Sequence, residues 1–168
     1  MRALWLVLTL IAASHASAYE YFVSPNGEFE AYTTQNFPDG GGMKLFLRRA
    51  QARAAGLLLA QNGRWIDAKW SPDSRFLAVI DHPDGHIADV YVFGVTASNA
   101  SASPTVTLFY RTPKPLTYDV RWDVAGWHVE KREVVLKQEV RDQNAGTDAT
   151  HTIVAKIGTK PLKFELPK

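Results

Sequence analysis

Ser24-Pro25-Asn26-Gly27-Glu28-Phe29-Glu30-Ala31 and Ser71-Pro72-Asp73-Ser74-Arg75-Phe76-Leu77-Ala78 read as two copies of one bend. In each, proline presets the first turn angle. Asn26 or Asp73 follows, a residue type that tolerates left-handed backbone and bonds to neighbouring amides. An aromatic residue then opens the next run, where it packs into the layer the turn has just closed. Self-similarity at this spacing is the signature of a repeat architecture. A looser third copy spans residues 120–129 (VRWDVAGWHV), with Trp122 in the place of Trp70 and Gly126-Trp127 replacing the step before the aromatic. It lacks the Ser-Pro-Asx turn.

Strand signals surround these bends. Residues 75–80 (RFLAVI), 88–95 (ADVYVFGV) and 105–110 (TVTLFY) are rich in β-branched and aromatic residues, with turn-forming stretches between them. Asp89, Tyr91 and Phe93 fall on one face of their strand, and Val90, Val92 and Gly94 on the other. Short strands separated by turns predict an antiparallel all-β architecture. Two stretches stay open on periodicity alone. Residues 44–60 contain good helix formers, the best at Ala50–Ala55, but also read as strand, connection, strand. Residues 130–140 fit neither period.

The segment Ile66–Val79, and above all Trp70-Ser71-Pro72-Asp73-Ser74-Arg75-Phe76-Leu77-Ala78, resembles the W-S-P-D-G-[RK]-x-[IL]-A turn of TolB-like and related WD-type β-propeller repeats, with Ser74 where those repeats carry glycine. The resemblance implies four-stranded blade-like meanders, the bend joining the first and second strands. Asp89–Val95 would be a third strand and Thr105–Tyr110 a fourth. By the same comparison Lys44–Arg48 is a third strand, which favours strand–loop–strand over residues 44–60. A closed ring of at least four such blades needs about 160 residues or more. About three units fit here. The expected fold is therefore an incomplete propeller, an open β-stack, a sandwich that reuses the turn, or a ring shared by two chains. The two edges of an unclosed stack invite pairing with a second copy.

Residues 1–18 read as a secretory signal peptide: Met1-Arg2, the apolar run Ala3–Ala13, then an Ala16-Ser17-Ala18 cleavage site. The expected product is a secreted or periplasmic domain of residues 19–168. It has no cysteine, so it uses neither disulfides nor thiolate chemistry. With 19 basic and 17 acidic residues and no basic run, nucleic acid is not an expected partner. No later stretch is long and apolar enough to span a bilayer.

The densest polar constellation is Asp81, His82, Asp84 and His86, followed by Asp89. Two imidazoles and three carboxylates are a ligand set for zinc, copper or nickel. Against this, Pro83-Asp84-Gly85 is turn chemistry in its own right, and the spacing matches no established metal motif. No nucleophile motif is present; Glu28 and Glu30, His128 and His151 read as solvated strand or loop residues. Gly40-Gly41-Gly42 lacks the helix a phosphate loop needs. Trp70 and Trp122, beside the repeated bends, are expected in the core. Trp65 and Trp127, with Arg64 and Tyr91, form the expected binding patch, because exposed indoles stack sugars or anchor partners. The reading that follows is a non-catalytic module for another protein or an envelope glycan, with no cofactor. The alternatives are an inhibitor of an extracellular hydrolase presenting residues 81–86, and a metal-dependent hydrolase.

Overall fold

The computed structural model describes residues 18–35, 42–99, 102–113, 119–142 and 147–164. The signal-peptide reading of residues 1–18 falls almost wholly outside them, as do Gly40 and Gly41 of the glycine run. Among the described residues eleven strands make three antiparallel sheets. The first takes β1 (Ala18–Val23), β2 (Phe29–Gln35), β3 (Met43–Arg49) and β4 (Leu57–Gly63) in chain order. The second takes β5 (Trp65–Trp70), β6 (Phe76–His82), β7 (Asp89–Thr96) and β8 (Thr105–Arg111), again in order. The third has β9 (Val120–His128), β10 (Glu133–Asp142) and β11 (Thr147–Lys156), with a 3-10 turn at Val129–Lys131. None closes into a barrel. Residues 44–60 are thus strand, connection and strand, and the ambiguous stretch after Glu130 is a strand from Glu133 onward.

The two bends are equivalent atom for atom. Ser24 N donates to Phe29 O and Ser71 N to Phe76 O, both at 2.9 Å. Each serine Oγ accepts from the N–H of its aromatic, Phe29 or Phe76, at 2.9 Å. Each donates to the Asx side chain two residues on, Asn26 Oδ1 at 2.8 Å and Asp73 Oδ1 at 2.6 Å. The fourth residue turns left-handed in both: Gly27 with φ 70° and Ser74 with φ 62°. The bends also bind one another, Asn26 N donating to Ser74 Oγ at 3.0 Å. Beside them Trp70 stacks on Phe29 (6.3 Å between centroids) and donates its indole N–H to Phe22 O at 2.8 Å.

The third copy is not a bend. β9 runs unbroken past Trp122 and Trp127, and its pairing with β10 slips so that Val124 faces Leu136 while Gly126 faces Val135. The skipped residue, Ala125, is a bulge, which reverses the alternation beyond it. Trp122 and Trp127 therefore share the inner face despite their odd spacing: Trp122 is buried, and Trp127 stacks on Phe76 at 6.4 Å. No serine–proline turn and no left-handed residue occur there to break the strand.

The second sheet is the middle layer. Leu77 and Val79 of β6 enter one core with Ala31, Leu45, Leu47 and Leu59 of the first sheet; Ala78 and Ile80 enter another with Trp122, Val124, Val134 and Leu136 of the third. Both faces of β6 are covered, so its sequence is a continuous apolar run rather than an alternation. Each fully buried aliphatic side chain contributes about 1.5–3 kcal/mol. After β11 the chain returns to the middle sheet, Leu162 N donating to Leu108 O at 2.8 Å, and sets Phe164 edge-on against Phe93 at 5.1 Å.

Candidate functional site

Strand alternation sorts the expected site residues onto two sides of the middle sheet. Trp65 lies opposite His82, and both look toward the third sheet. Asp81 lies opposite Ile66 on one side and Asp89 on the other, and with Tyr91 looks toward the first sheet. The five metal-ligand candidates thus separate: Asp81 and Asp89 on one face, His82 on the other, and Asp84 and His86 in the connecting turn. Among the described residues no three His, Asp or Glu side chains are placed to hold a metal ion together.

The more open site is a recess of about 360 Å³ lined by Arg64, Trp65, His82, Asp84, Gly85 and Arg121. Its floor is rigid. Arg64 N donates to His82 O at 2.8 Å, which fixes the step from β4 into β5. Asp84 Oδ1 accepts from His86 N (2.7 Å) and Ile87 N (2.9 Å), closing the Pro-Asp-Gly turn as a side-chain-capped loop. That turn is tied to the third sheet three times over. Arg121 donates to Gly85 O, Ala88 N donates to Val120 O at 3.2 Å, and His86 Nδ1 lies 2.5 Å from the buried Asp119 carboxylate. A Cβ at Gly85 would meet only the Arg64 guanidinium, at 3.4 Å. Burial, and then the neighbouring Arg121, push the His82 pKa below its ordinary value, so the imidazole is neutral at pH 7. The recess thus offers a half-exposed indole (Trp65, 48%) together with two exposed arginines. Its one carboxylate has an oxygen already committed to backbone.

On the opposite face a smaller recess of about 130 Å³ lies between the first and second sheets, walled by Leu59, Val79, Tyr91, Phe93 and Phe164 and ending on Asp81. Burial, then the facing Asp89, push the Asp81 carboxyl up to about 6. Its Oδ1 is buried and has no hydrogen-bond partner among the described residues. Asp89 fares better: Oδ1 accepts from the Thr112 hydroxyl at 3.3 Å, and the Arg111 guanidinium stands 3.6 Å from Oδ2 while lying over the Tyr91 ring. Burial raises the Tyr91 pKa as well.

The expected aromatic patch is therefore divided. Arg64 and Trp65 stay together, Tyr91 lies behind them through the sheet, and Trp127 packs on Phe76 in the second core. Trp70 is partly buried rather than fully so. Glu28 and Glu30 are paired with Arg49 (2.5 Å) and Arg48 (2.6 Å). Local reading misses Arg121, Asp119 and Phe164, all brought in from distant chain positions by the topology. The alternation in residues 120–124 (VRWDV) announces an outward Arg121, but nothing in it says which loop that arginine meets. Among the described residues no helix is long and apolar enough to cross a membrane. Compared with protein-family models, curated proteins and solved structures, the chain finds no match.

Proposed function

We propose that this chain is an exported, non-catalytic binding module built from TolB-like, WD-type blade repeats, which engages another protein or an envelope glycan through the recess around Trp65. One observation carries the reading: an exposed indole shares one recess with the Arg64 and Arg121 guanidiniums, on a floor held by backbone hydrogen bonds. A rigid aromatic offers large contact area with little entropy loss, and arginine pairs with carboxylates in two-pronged fashion. The partner chemistry that fits is an acidic group carried beside a sugar ring or an apolar side chain. The identity of the two Ser-Pro-Asx bends supports the repeat kinship, and the leader-like sequence of residues 1–18 supports export.

The test is a titration of the purified protein with a uronic-acid oligosaccharide, a neutral oligosaccharide and an acidic peptide, following tryptophan fluorescence. The acidic probes are expected to shift the emission, and Trp65→Phe to abolish the shift. Arg64→Ala should weaken binding roughly tenfold, the loss of one charged contact of about 1.4 kcal/mol. No response to any probe at millimolar concentration, or an undiminished response in Trp65→Phe, would sink the reading.

A further inference from the structure

The shared bend puts the first two sheets in register, so each position of one has a counterpart in the other. Tyr21 corresponds to Ala68, Tyr32 to Val79, Phe46 to Tyr91 and Arg48 to Phe93, because the cross-strand pairs match: Tyr21 with Tyr32 and Phe46, Ala68 with Val79 and Tyr91. In the second sheet this face lies against the first sheet. In the first sheet the same face packs on neither core; Thr34 at one end of it is buried and Gly56 N donates to the Tyr32 hydroxyl at 3.2 Å, while Tyr21 and Val23 stand open.

That outward face carries an aromatic row across the strands. Tyr21 and Tyr32 lie 6.0 Å apart, Tyr32 stacks on Phe46 at 5.4 Å, and Leu58 follows opposite Phe46. Tyr21 and Val23 are each more than half exposed. The charges beside the row are largely self-neutralised, Arg48 pairing with Glu30 at 2.6 Å and lying over the Tyr32 ring, with Lys44 at one end. The far face of the third sheet is the opposite in character. There Lys137 pairs with Glu139 at 2.6 Å, and register puts Asp148 beside Arg141.

We propose that the outward face of the first sheet is a self-association surface, on which a second copy of the chain docks the same face about a two-fold axis. A head-to-tail stack would press the aromatic row onto the charged face of the third sheet and strip water from charges that gain no partner. Face to face, each row meets its own kind, as an isologous interface requires. Four strands about 4.8 Å apart and six residues about 3.3 Å long give a pleated face of roughly 400 Å² in projection. Two such faces hide at most on the order of 1,000 Å² of accessible surface, the low end for a specific interface, so the dimer is a reversible one.

Sedimentation velocity on the protein as the cell delivers it gives the first readout: a concentration-dependent dimer is expected. Phe46→Glu and Tyr21→Lys should each weaken it at least about tenfold while the strand circular dichroism stays unchanged. Tyr21→Lys changes an exposed side chain and keeps the test sound if Phe46→Glu fails to fold. Geometry is read separately by spin labels, which the absence of native cysteine makes simple. Val23→Cys on the proposed interface should give a label-to-label distance below about 30 Å. Val154→Cys on the far sheet should give roughly 50 Å, six layers about 10 Å apart. A chain that stays monomeric to about 100 µM overturns the proposal, including one that remains monomeric while a detergent micelle or a different protein covers the row. So does a dimer indifferent to both substitutions, or a short distance at Val154.

Discussion

The first and second sheets leave the same bend and end in different surroundings. Ser24–Phe29 and Ser71–Phe76 make the same backbone and side-chain hydrogen bonds, and the strands that follow pair in the same order. Yet where the second sheet sets Leu77, Val79 and Phe93, the first sets Glu30, Tyr32 and Arg48. The difference is position in the stack: the middle sheet is covered on both sides, and the first on one. A turn motif therefore specifies a bend and a register, while the residues that alternate away from it specify how many neighbours the sheet has.

The largest expected effect comes from truncating the two members of one corresponding pair. Phe93 is 1% exposed and holds Phe164 at 5.1 Å. Phe93→Ala should cost about 3–5 kcal/mol, the lost burial plus the cavity it leaves. Arg48→Ala, at the same place in the first repeat, removes a partly screened ion pair and should cost about 1 kcal/mol or less. Urea unfolding followed by circular dichroism measures both. Equal losses would mean that the two faces are equally covered, and the contrast between the sheets would be gone.

The next effect is electrostatic. Asp81 occupies the place that Thr34 holds in the first sheet. Thr34 is neutral, whereas Asp81 is a carboxylate facing Asp89, with its pKa raised from 3.8 to about 6. A folded-state pKa above the unfolded one favours the folded state while the group is protonated. That contribution is fully present below about pH 3.8 and is lost as pH rises through about 6. Solvent reaching the side chain reduces the unscreened 3 kcal/mol to about 1–2 kcal/mol. Asp81→Asn should therefore be more stable than the parent by about 1–2 kcal/mol at pH 7, and the gap should close as pH falls toward 4. A gap independent of pH would show that ionisation of Asp81 opposes nothing.

Much of this fold is legible in the residues because its cues are local. The Ser-Pro-Asx bends, the apolar run of β6 and the alternation of β7 each act within a few positions. The third sheet is where local reading fails. Trp122 and Trp127 look like the two ends of a bend, but the Ala125 bulge lets one strand carry both indoles on one face, and a bulge is set by pairing with β10 rather than by β9 itself. The site divides along the same line. Asp81 and His82 are adjacent in sequence and so face opposite sides of the sheet. Arg121 reaches the Pro83–His86 turn only because β9 docks beside it, and Phe164 reaches Phe93 only because the chain doubles back along β8.

The smallest effect sharpens the comparison at the bend itself. Gly27 and Ser74 hold the same left-handed conformation, which glycine adopts freely and serine does not. Gly27→Ser has open space around a new Cβ, so its cost is backbone strain alone, about 1 kcal/mol. Ser74→Gly relieves that strain but deletes the Oγ that accepts from Asn26 N–H, the bond joining the two bends. The two terms are each about 1 kcal/mol and opposite in sign, so the net change should lie within about 0.5 kcal/mol of zero. A null change in stability is ambiguous on its own, and amide exchange resolves it. In Ser74→Gly the Asn26 amide should exchange faster while the Phe29 and Phe76 amides, held by Ser24 and Ser71, keep their protection. If Asn26 exchange is unaltered, the bends are alike because their sequences are alike, and the contact between them adds nothing.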